Sequence, residues 1–265
     1  MNLRVGIAAL AALAVIAFMI ERSDAPGEGP RQDDGGAESG TLLEALRATL
    51  PLPEADLGPP LPDVPGPRFA IARVRSGGRV DLHSSPGGPV FKTVGDRTEF
   101  GSARTFWIAK VRGDWFGVPT SELPNGKRAW IENDKSRLEV LETRYSIVAD
   151  LSNRRLELRY GNRVLDGFPV TVGSLSSPTP PGSYSVTDGL VGEGVGPYYG
   201  CCALALTGHQ PNLPPDWIGG DRIAIHGTPD PVGGAESAGC LRATNPDLVS
   251  LFARVPLGAP VFIRG

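Results

Sequence analysis

The chain has 265 residues, 40% of them hydrophobic, which suffices for one large domain or two ordinary ones with proper cores. The formal net charge is −3 and the sequence pI is about 5.7, so the basic character of nucleic-acid-binding proteins is missing and we predict no nucleic-acid partner. The 35 glycines and 26 prolines, with few aromatic residues, favour turns and short strands over helical bundles and predict an all-β fold.

The first twenty residues predict a membrane segment. Arg4 is followed by sixteen uncharged, mostly apolar residues from Val5 to Ile20, short for a spanning helix and long for a signal-peptide core. The small-residue site at Ser23 to Ala25 is followed by Pro26, which disfavours cleavage. We therefore expect an uncleaved signal anchor over residues 1–20, with the protein extracytoplasmic and membrane-anchored at the cell envelope.

Residues 21–67 are dense in Pro, Gly, Asp and Glu and lack the apolar content to fold alone, so they predict a linker. Within it, a short helix is predicted near residues 41–50. Thr41 is a candidate N-cap, Glu44 follows three residues later, and Pro51 ends the apolar pattern.

Residues 68–142 predict a small β module. Runs rich in strand-favouring residues alternate with turn sequences such as Asn125-Gly126. The segment resembles bacterial SH3-like domains, small β-barrels that often bind wall peptide or glycan. We expect its tryptophans to fill the barrel core, because so small a barrel needs large side chains. These tryptophans are Trp107, Trp115 and Trp130.

Residues 143–265 begin with a predicted meander, in which a turn at Gly161-Asn162 joins two strands and a third strand follows. Further on, the apolar run from Ile223 delivers His226, and a Gly/Pro-rich loop leads to Cys240. A thiol reacts as thiolate, and a nearby His is the usual base that activates it. The backbone N–H groups around Gly239 and Cys240 could stabilise an oxyanion. The alternative is a small buried Cys and a loop His satisfied by backbone groups.

The HGT and SAGCLR segments resemble the signature of the L,D-transpeptidase (YkuD-like) family, whose catalytic domain is a β-sandwich. Many members carry a second His before the Gly of the Cys motif, where this chain has Ala238. The segment from Thr179 to Gly182 is similar to the family's TPxG element. The matching signature positions are His226, Gly227, Thr228, Ser237, Gly239, Cys240 and Arg242.

The resemblance implies peptidoglycan acyl transfer without a cofactor. Cys240 would attack a stem-peptide carbonyl, His226 would take and return the proton, and the carbonyl of Gly227 would orient the imidazole. Capture of the thioacyl-enzyme by a neighbouring stem would give a 3→3 cross-link. Carbapenems are expected to acylate Cys240.

Several residues are candidates for substrate binding. Arg242 could pair with a substrate carboxylate or hold the Cys loop through an ion pair. Ser237 and Gly239 would shape that loop or line the cleft. Tyr198 and Trp217 lie in a Pro/Gly-rich stretch that could form part of a peptide-binding cleft.

The remaining cysteines, Cys201 and Cys202, are adjacent. On a strand they would point to opposite faces, so a bridge between them would strain the backbone. We assign the unpaired thiol to Cys240. A zinc site formed by these cysteines with His209 and His226 is disfavoured, because adjacent cysteines chelate one ion badly and no CxxC spacing is present, so no metal is predicted.

Two other functions stay open. Water could capture the acyl-enzyme, which would make the chain an L,D-carboxypeptidase. Alternatively, the chain could be an inactive wall-binding protein whose SH3-like module does the binding, although the intact HGT and SAGC segments argue against this.

Overall fold

The computed structural model describes residues 65–191 and 196–265. The signal anchor expected over residues 1–20, the helix expected near 41–50 and most of the expected linker lie outside these residues. Within the described ranges, no helix has both the length and the apolar character that a membrane crossing requires. The described architecture is mostly β, as the composition predicts.

Residues 69–143 form two antiparallel sheets, which we call the N-terminal module. The strand order is β4-β1-β8 in a three-stranded sheet and β3-β2-β7-β6-β5 in a five-stranded sheet, where the strands are β1 (Phe69–Val74), β2 (Arg79–His83), β3 (Val90–Gly95), β4 (Thr105–Trp107), β5 (Lys110–Arg112), β6 (Trp115–Val118), β7 (Ala129–Glu132) and β8 (Leu138–Thr143).

Alternation along these strands builds the core of the N-terminal module. In β2, Val80 and Leu82 are buried while Arg79 is exposed, as a period of two requires when one face is covered. The predicted turn at Asn125-Gly126 is present, with Gly126 at φ +77°, a conformation that glycine adopts without steric cost. The core is aliphatic apart from two phenylalanines.

The expectation that tryptophans fill this core is confirmed for Trp130, which is buried, and is wrong for Trp107 and Trp115, which are half-buried and lie outside the core cluster. Trp107 packs edge-on against Phe262, 5.6 Å between ring centroids, in the second module. Trp115 packs against His83, and Trp130 is buried beneath an arginine side chain. An indole has a polar N–H and a large apolar body, so it suits the boundary of a small core better than its centre.

Residues 145–264 form the second module, built on an eight-stranded sheet and a two-stranded sheet. Among the described residues of this module, one α-helix, α1 (Asn245–Phe252), packs against three strands of the larger sheet, β14 (Cys202–His209), β15 (Arg222–Thr228) and β17 (Leu241–Thr244). The strand orders are β11-β10-β9-β18-β13-β14-β15-β17 and β12-β16, where the strands are β9 (Tyr145–Asp150), β10 (Arg155–Tyr160), β11 (Arg163–Pro169), β12 (Val172–Gly173), β13 (Gly182–Val191), β14 (Cys202–His209), β15 (Arg222–Thr228), β16 (Ala235–Ser237), β17 (Leu241–Thr244) and β18 (Pro260–Arg264).

The long strand β13 joins two halves of the large sheet. Its residues from Gly182 to Ser185 pair with β18, and those from Val186 to Val191 pair with β14. The predicted meander is confirmed as the antiparallel set β9-β10-β11, with Gly161 at φ +59° in the turn. One hydrophobic cluster takes residues from both halves, so the halves enclose a common core.

The two modules contact each other through the turn that contains Asn125. The side chain of Asn125 donates to the carbonyl of His209 at 2.6 Å and accepts from the N–H of His209 at 2.8 Å. The imidazole of His209 lies 2.8 Å from the carbonyl of Ser121 and 3.0 Å from a carboxylate oxygen of Asp221. Because His209 ends β14, the N-terminal module braces the loop that follows this strand.

We expect the Asn125→Ala substitution to lower the free energy of unfolding by about 1–3 kcal/mol, because it leaves both backbone groups of His209 without partners. Urea unfolding of the full chain measures this loss. Lys127→Ala in the same turn is the matched control, because the Lys127 side chain is exposed. Equal effects of the two substitutions would contradict the bracing role of Asn125.

Candidate active site

The motif residues lie on two neighbouring parallel strands. β15 contains His226, β17 starts directly after Cys240, and the register pairs His226 with Arg242. Cys240 therefore stands two residues before the partner of His226, on the same face of the sheet. A strand spacing of about 4.8 Å and a rise of about 3.3 Å per residue put the two Cα atoms about 8 Å apart. The register thus places Cys240 and His226, the two residues that the sequence singles out, close together on one face of the sheet.

Alternation along β15 and β17 separates this face from the hydrophobic core. Ile225 and its partner Leu241 belong to the core cluster, so His226 and Arg242 point to the opposite face. On the other side of β15, the residue paired with His226 is Ala203. Its methyl side chain leaves room above the sheet for the imidazole.

His226 is fully buried, and one of its ring nitrogens has a partner. Nδ1 lies 2.9 Å from the carbonyl oxygen of Gly227, whereas Nε2 has no hydrogen-bond partner. A carbonyl only accepts, so Nδ1 carries the proton and the lone pair of Nε2 is free. Burial and the positive charge of Arg242 lower the pKa of His226 to about 4. The hydrogen bond to Gly227 raises the pKa but does not offset these two effects. The imidazole is therefore neutral at pH 7 and can accept a proton at Nε2.

The Cys240 thiol is also neutral in this structure. Burial raises its pKa, and this effect outweighs a backbone hydrogen bond from Ala224 and the positive charge of Arg242, both of which lower the pKa. The raised pKa concerns the resting thiol, so the expectation that His226 activates this thiol for attack stays a prediction. An attack by this thiol on a carbonyl would therefore include the transfer of its proton.

Two tyrosines cover His226. They belong to a 3-10 turn, Pro197–Tyr199, that precedes β14. The ring centroids of Tyr199 and Tyr198 lie 4.9 Å and 5.7 Å from that of His226. Burial raises the pKa of Tyr199, and Cys240 in its thiolate form raises that pKa further, so the Tyr199 hydroxyl lies near the sulfur. This turn shields the imidazole from water and accounts for its depressed pKa.

Gly227 has no room for a side chain. A Cβ atom there would overlap Oδ1 of Asn245 and lie 3.0 Å from Sγ of Cys201. The Asn245 side chain also accepts the N–H of Cys201 at 3.0 Å and so fixes the turn above β15. The glycine of the HGT segment is thus required by close packing, and its carbonyl holds the imidazole.

The loop before Cys240 is fixed by Ser237. Its hydroxyl donates to the carbonyl of Cys240 at 2.6 Å and accepts the N–H of Gly239 at 3.0 Å. The N–H of Gly239 is therefore occupied, which contradicts its expected oxyanion role and leaves the N–H of Cys240 as the candidate donor. Gly239 has φ +115°, and a Cβ atom there would overlap the amide of Gln210. Gln210 donates in turn to the carbonyl of Pro178 at 3.0 Å and joins three loops at the site.

Arg242 contacts the side chain of Tyr198. Its guanidinium hydrogen-bonds the Tyr198 hydroxyl and lies 5.0 Å from the centroid of that ring. Its Nε is buried without a partner. No acidic side chain among residues 65–191 and 196–265 forms an ion pair with it. The sequence leaves two roles open for Arg242, and the described part of the chain shows no structural ion pair.

A small cavity opens beside Cys240. Trp217, whose indole N–H donates to the carbonyl of Gly220 at 3.0 Å, packs 6.4 Å from the ring of Tyr198 on one side of it. Tyr198 is 47% exposed, so it can contact a ligand while it contacts Arg242. Tyr198 and Trp217, the predicted cleft residues, therefore line the same cavity as Cys240. The cavity is lined by Tyr198, Gln210, Leu213, Trp217, Gly220, Asp221, Arg222, Ile223, Ala238 and Cys240.

Two residues of this site, Gln210 and Asn245, are missed by the sequence analysis. Gln210 is a single polar residue in a Pro-rich stretch, and nothing nearby indicates that it is buried against Gly239. Asn245 follows the N-cap Thr244 of α1, and a capping pattern was the signal that could have found it. His209, which the sequence analysis considers as a zinc ligand, instead contacts Ser121 and Asn125 of the N-terminal module.

The residues considered for a metal do not converge. Cys201 and Cys202 belong to the hydrophobic core cluster, whereas Cys240 lines the cavity. Within the part of the chain that the structure describes, no three His, Cys, Asp or Glu side chains are grouped as metal ligands would be.

The low pKa of His226 predicts a loss of stability in acid. Its folded value of about 4 lies below the ordinary 6.5, so the unfolded state binds a proton first as the pH falls. The neutral His226 contributes about 3 kcal/mol to the free energy of unfolding. This stabilisation is complete above pH 6.5 and is lost as the pH falls from 6.5 to 4. Urea unfolding across this range should show a shallower pH dependence for His226→Gln than for the unmodified chain. Identical pH dependence would contradict the burial of a neutral imidazole.

The contact between Gly239 and Gln210 predicts a steric effect at the Cys loop. Gly239→Ala should destabilise the fold by about 1–3 kcal/mol more than Gly233→Ala and should change the alkylation rate of Cys240 by iodoacetamide. Gly233 is the matched control, because it has φ +102° and open space where the methyl group would lie, so both substitutions carry the backbone cost. The same stability and alkylation rate in both variants would refute the contact.

Comparison with known proteins places these features in a family. The family model of the L,D-transpeptidase catalytic domain, YkuD, matches residues 144–263. The chain is 31% identical to the L,D-transpeptidase relative YkuD of Bacillus subtilis (strain 168) over 122 residues, which cover 45% of this chain and 66% of that protein. It thus spans just under two thirds of that relative.

A second Bacillus subtilis (strain 168) relative, named as L,D-transpeptidase YqjB, is 32% identical over 128 residues, with 44% of this chain and 69% of YqjB covered. Among solved structures, L,D-transpeptidase 3 from Mycobacterium tuberculosis is similar, with 17% identity, a TM-score of 0.38, and coverage of 52% of this chain and 74% of that chain. The family model and the identity to YqjB lead to one conclusion: this chain belongs to the YkuD family of L,D-transpeptidase catalytic domains.

Proposed function

We propose that this chain is a peptidoglycan L,D-transpeptidase that forms 3→3 cross-links between stem peptides through a thioacyl-enzyme on Cys240. One observation carries the proposal: parallel strands hold Cys240 and His226 on one face, and Nε2 of His226 is free to take a proton. Membership of the YkuD family supports the same chemistry.

In the first half-reaction, the sulfur of Cys240 attacks the carbonyl that joins the L-centre of the third stem residue to the terminal D-Ala. The thiol proton passes to Nε2 of His226 as the C–S bond forms. The carbonyl of Gly227 keeps Nδ1–H in place and stabilises the imidazolium. Because the pKa of His226 is about 4, the imidazolium is a strong acid, and it gives its proton to the D-Ala amine as the C–N bond breaks.

In the second half-reaction, the side-chain amine of a neighbouring stem attacks the thioacyl carbonyl. His226 takes a proton from this amine and returns one to the sulfur, so the free enzyme is restored. Water can capture the same intermediate, and the chain would then act as an L,D-carboxypeptidase. The cover formed by Tyr198 and Tyr199 over the imidazole limits access of water and supports transfer to an amine.

Substrate recognition is assigned to Arg242 and its neighbours. The guanidinium contacts Tyr198 and has no carboxylate partner among the described residues, so its charge is available for a carboxylate of the stem peptide. Trp217 and Tyr198 offer an aromatic wall for the peptide, and Ser237 and Gly239 fix the loop that presents the nucleophile.

The N-terminal module and residues 1–67 would position the enzyme at its substrate. The N-terminal module, expected to be SH3-like, would bring the enzyme to the wall, and its contact with His209 supports a fixed orientation of the cavity. Residues 1–20 would anchor the protein at the extracytoplasmic side of the membrane, with residues 21–67 as a linker between the anchor and the enzyme.

Acylation by a carbapenem tests the nucleophile. The full chain, incubated with meropenem, should gain the mass of one inhibitor molecule, and Cys240→Ala should gain none. His226→Gln should be acylated at least about 100-fold more slowly, because a general base contributes 10²–10⁴-fold. An adduct that persists in Cys240→Ala, or none in the unmodified chain, would refute the assignment and favour the inactive wall-binding alternative.

The products then distinguish the reactions. With a disaccharide tetrapeptide as donor and acceptor, a transpeptidase releases D-Ala and forms dimers, whereas a carboxypeptidase releases D-Ala and leaves tripeptide monomers. We expect dimers that carry a 3→3 bond. Tripeptide monomers alone would establish the carboxypeptidase instead.

A further inference from the structure

The two cysteines that the proposed mechanism does not use lie against each other. The sulfur atoms of Cys201 and Cys202 are 2.7 Å apart, and both thiols are free. The expectation that their side chains point to opposite faces is wrong because β14 begins at Cys202, so Cys201 belongs to the preceding turn. Strand alternation therefore does not apply across this pair.

We propose that Cys201 and Cys202 form an oxidation site, at which a small-molecule or protein disulfide converts the two thiols into an adjacent disulfide and leaves Cys240 as the free thiol. The sulfur atoms need to move from 2.7 Å to a bonded distance of about 2.05 Å, a small displacement. Thiol–disulfide exchange is the chemistry that such a pair undergoes.

The surroundings of the pair hold its backbone in this arrangement. Gly200, directly before it, has φ +61°, which turns the chain sharply into Cys201. The N–H of Cys201 donates to Oδ1 of Asn245 at 3.0 Å, and the side chain of Asn245 also packs on Gly227. The turn that brings the two sulfurs together is therefore fixed by the same contacts that support the HGT segment.

The two thiols have different roles in the exchange. Cys201 is 9% exposed and Cys202 is fully buried, so an oxidant reaches Cys201 first. A hydrogen bond from the Cys202 thiol lowers the pKa of Cys201, whereas donation of that bond and burial raise the pKa of Cys202. Cys201 is thus the attacking thiol, and Cys202 closes the bond.

The reaction balances as two exchanges. The Cys201 thiolate attacks one sulfur of the oxidant disulfide, forms a mixed disulfide and releases one thiolate. Cys202, having lost its proton to solvent, then attacks Sγ of Cys201 and displaces the second thiolate. The protein loses two electrons and two protons, and the oxidant is reduced to two thiols once those protons are taken up.

The consequence concerns Cys240. Three thiols in an oxidising compartment could pair in three ways, and two of these would consume the proposed nucleophile. A disulfide between Cys201 and Cys202 prevents both disulfides that would include Cys240. Cys240 itself stays in the cavity on the opposite side of β15. A disulfide between adjacent residues closes a very small ring and restricts the unfolded chain very little. The bond therefore determines which thiols are paired and hardly changes the free energy of unfolding.

Trypsin separates the relevant thiols, because no Lys or Arg lies between Arg163 and Arg222 or between Arg222 and Arg242. The folded full chain is treated with oxidised glutathione, denatured, alkylated without reduction and digested. We expect peptide 164–222 to be lighter by two hydrogens and unalkylated, and to take two alkyl groups after reduction. Peptide 223–242 should carry its alkyl group, or a glutathione that reduction removes.

Two variants test whether the loss of two hydrogens from peptide 164–222 comes from a disulfide between Cys201 and Cys202. In Cys202→Ser, peptide 164–222 should never lose two hydrogens and should carry one alkyl or one glutathione, whereas Cys240→Ala should form the adjacent disulfide as the unmodified chain does. Two alkyl groups on peptide 164–222 of the oxidised chain would overturn the proposal. A cross-link between peptides 164–222 and 223–242 would also overturn it. Neither readout needs catalytic activity, so failure here is distinct from failure of the proposed function.

Discussion

The parallel pairing of β15 with β17 is the constraint on which the site depends. Its register sets His226 beside Arg242 and puts Cys240 two residues earlier on the same face. Side chains alternate along a strand, so a slip of one residue would turn Cys240 toward the core and Leu241 toward the cavity. The hydrophobic residues on the core face of both strands, such as Ile225 and Leu241, therefore fix the positions of Cys240 and His226 as well as the fold.

Close contacts at two glycines fix the segments that surround β15 and β17. Gly227 lets Asn245 and Cys201 approach β15, and Gly239 lets Gln210 approach the Cys loop, so both motif glycines are positions where any side chain would collide. The N-terminal module adds a further layer, because Asn125 holds the end of β14 just before Gln210. A series of short contacts thus connects the N-terminal module to the loop that contains Cys240.

Much of the second module could be predicted from the sequence. The meander around Gly161-Asn162 and the pairing of His226 with the Cys240 loop follow from local patterns, since turn residues and motif spacing are local. The positions of two tryptophans, the role of Gln210 and the contact of Arg242 with Tyr198 could not be predicted, because they depend on which distant segments meet. The raised pKa of Cys240 was missed for a related reason: burial is a property of the whole fold, and here it outweighs the nearby positive charge.

The proposed chemistry requires a neutral His226 that keeps its proton on Nδ1 and offers Nε2 as the base. Nitrogen NMR of labelled histidine in the full chain, assigned with His226→Gln, reports the protonation of each ring nitrogen directly. At neutral pH we expect Nδ1 of His226 to be protonated and Nε2 to be unprotonated. An imidazolium, or a neutral ring with its proton on Nε2, would contradict the proposed role of His226.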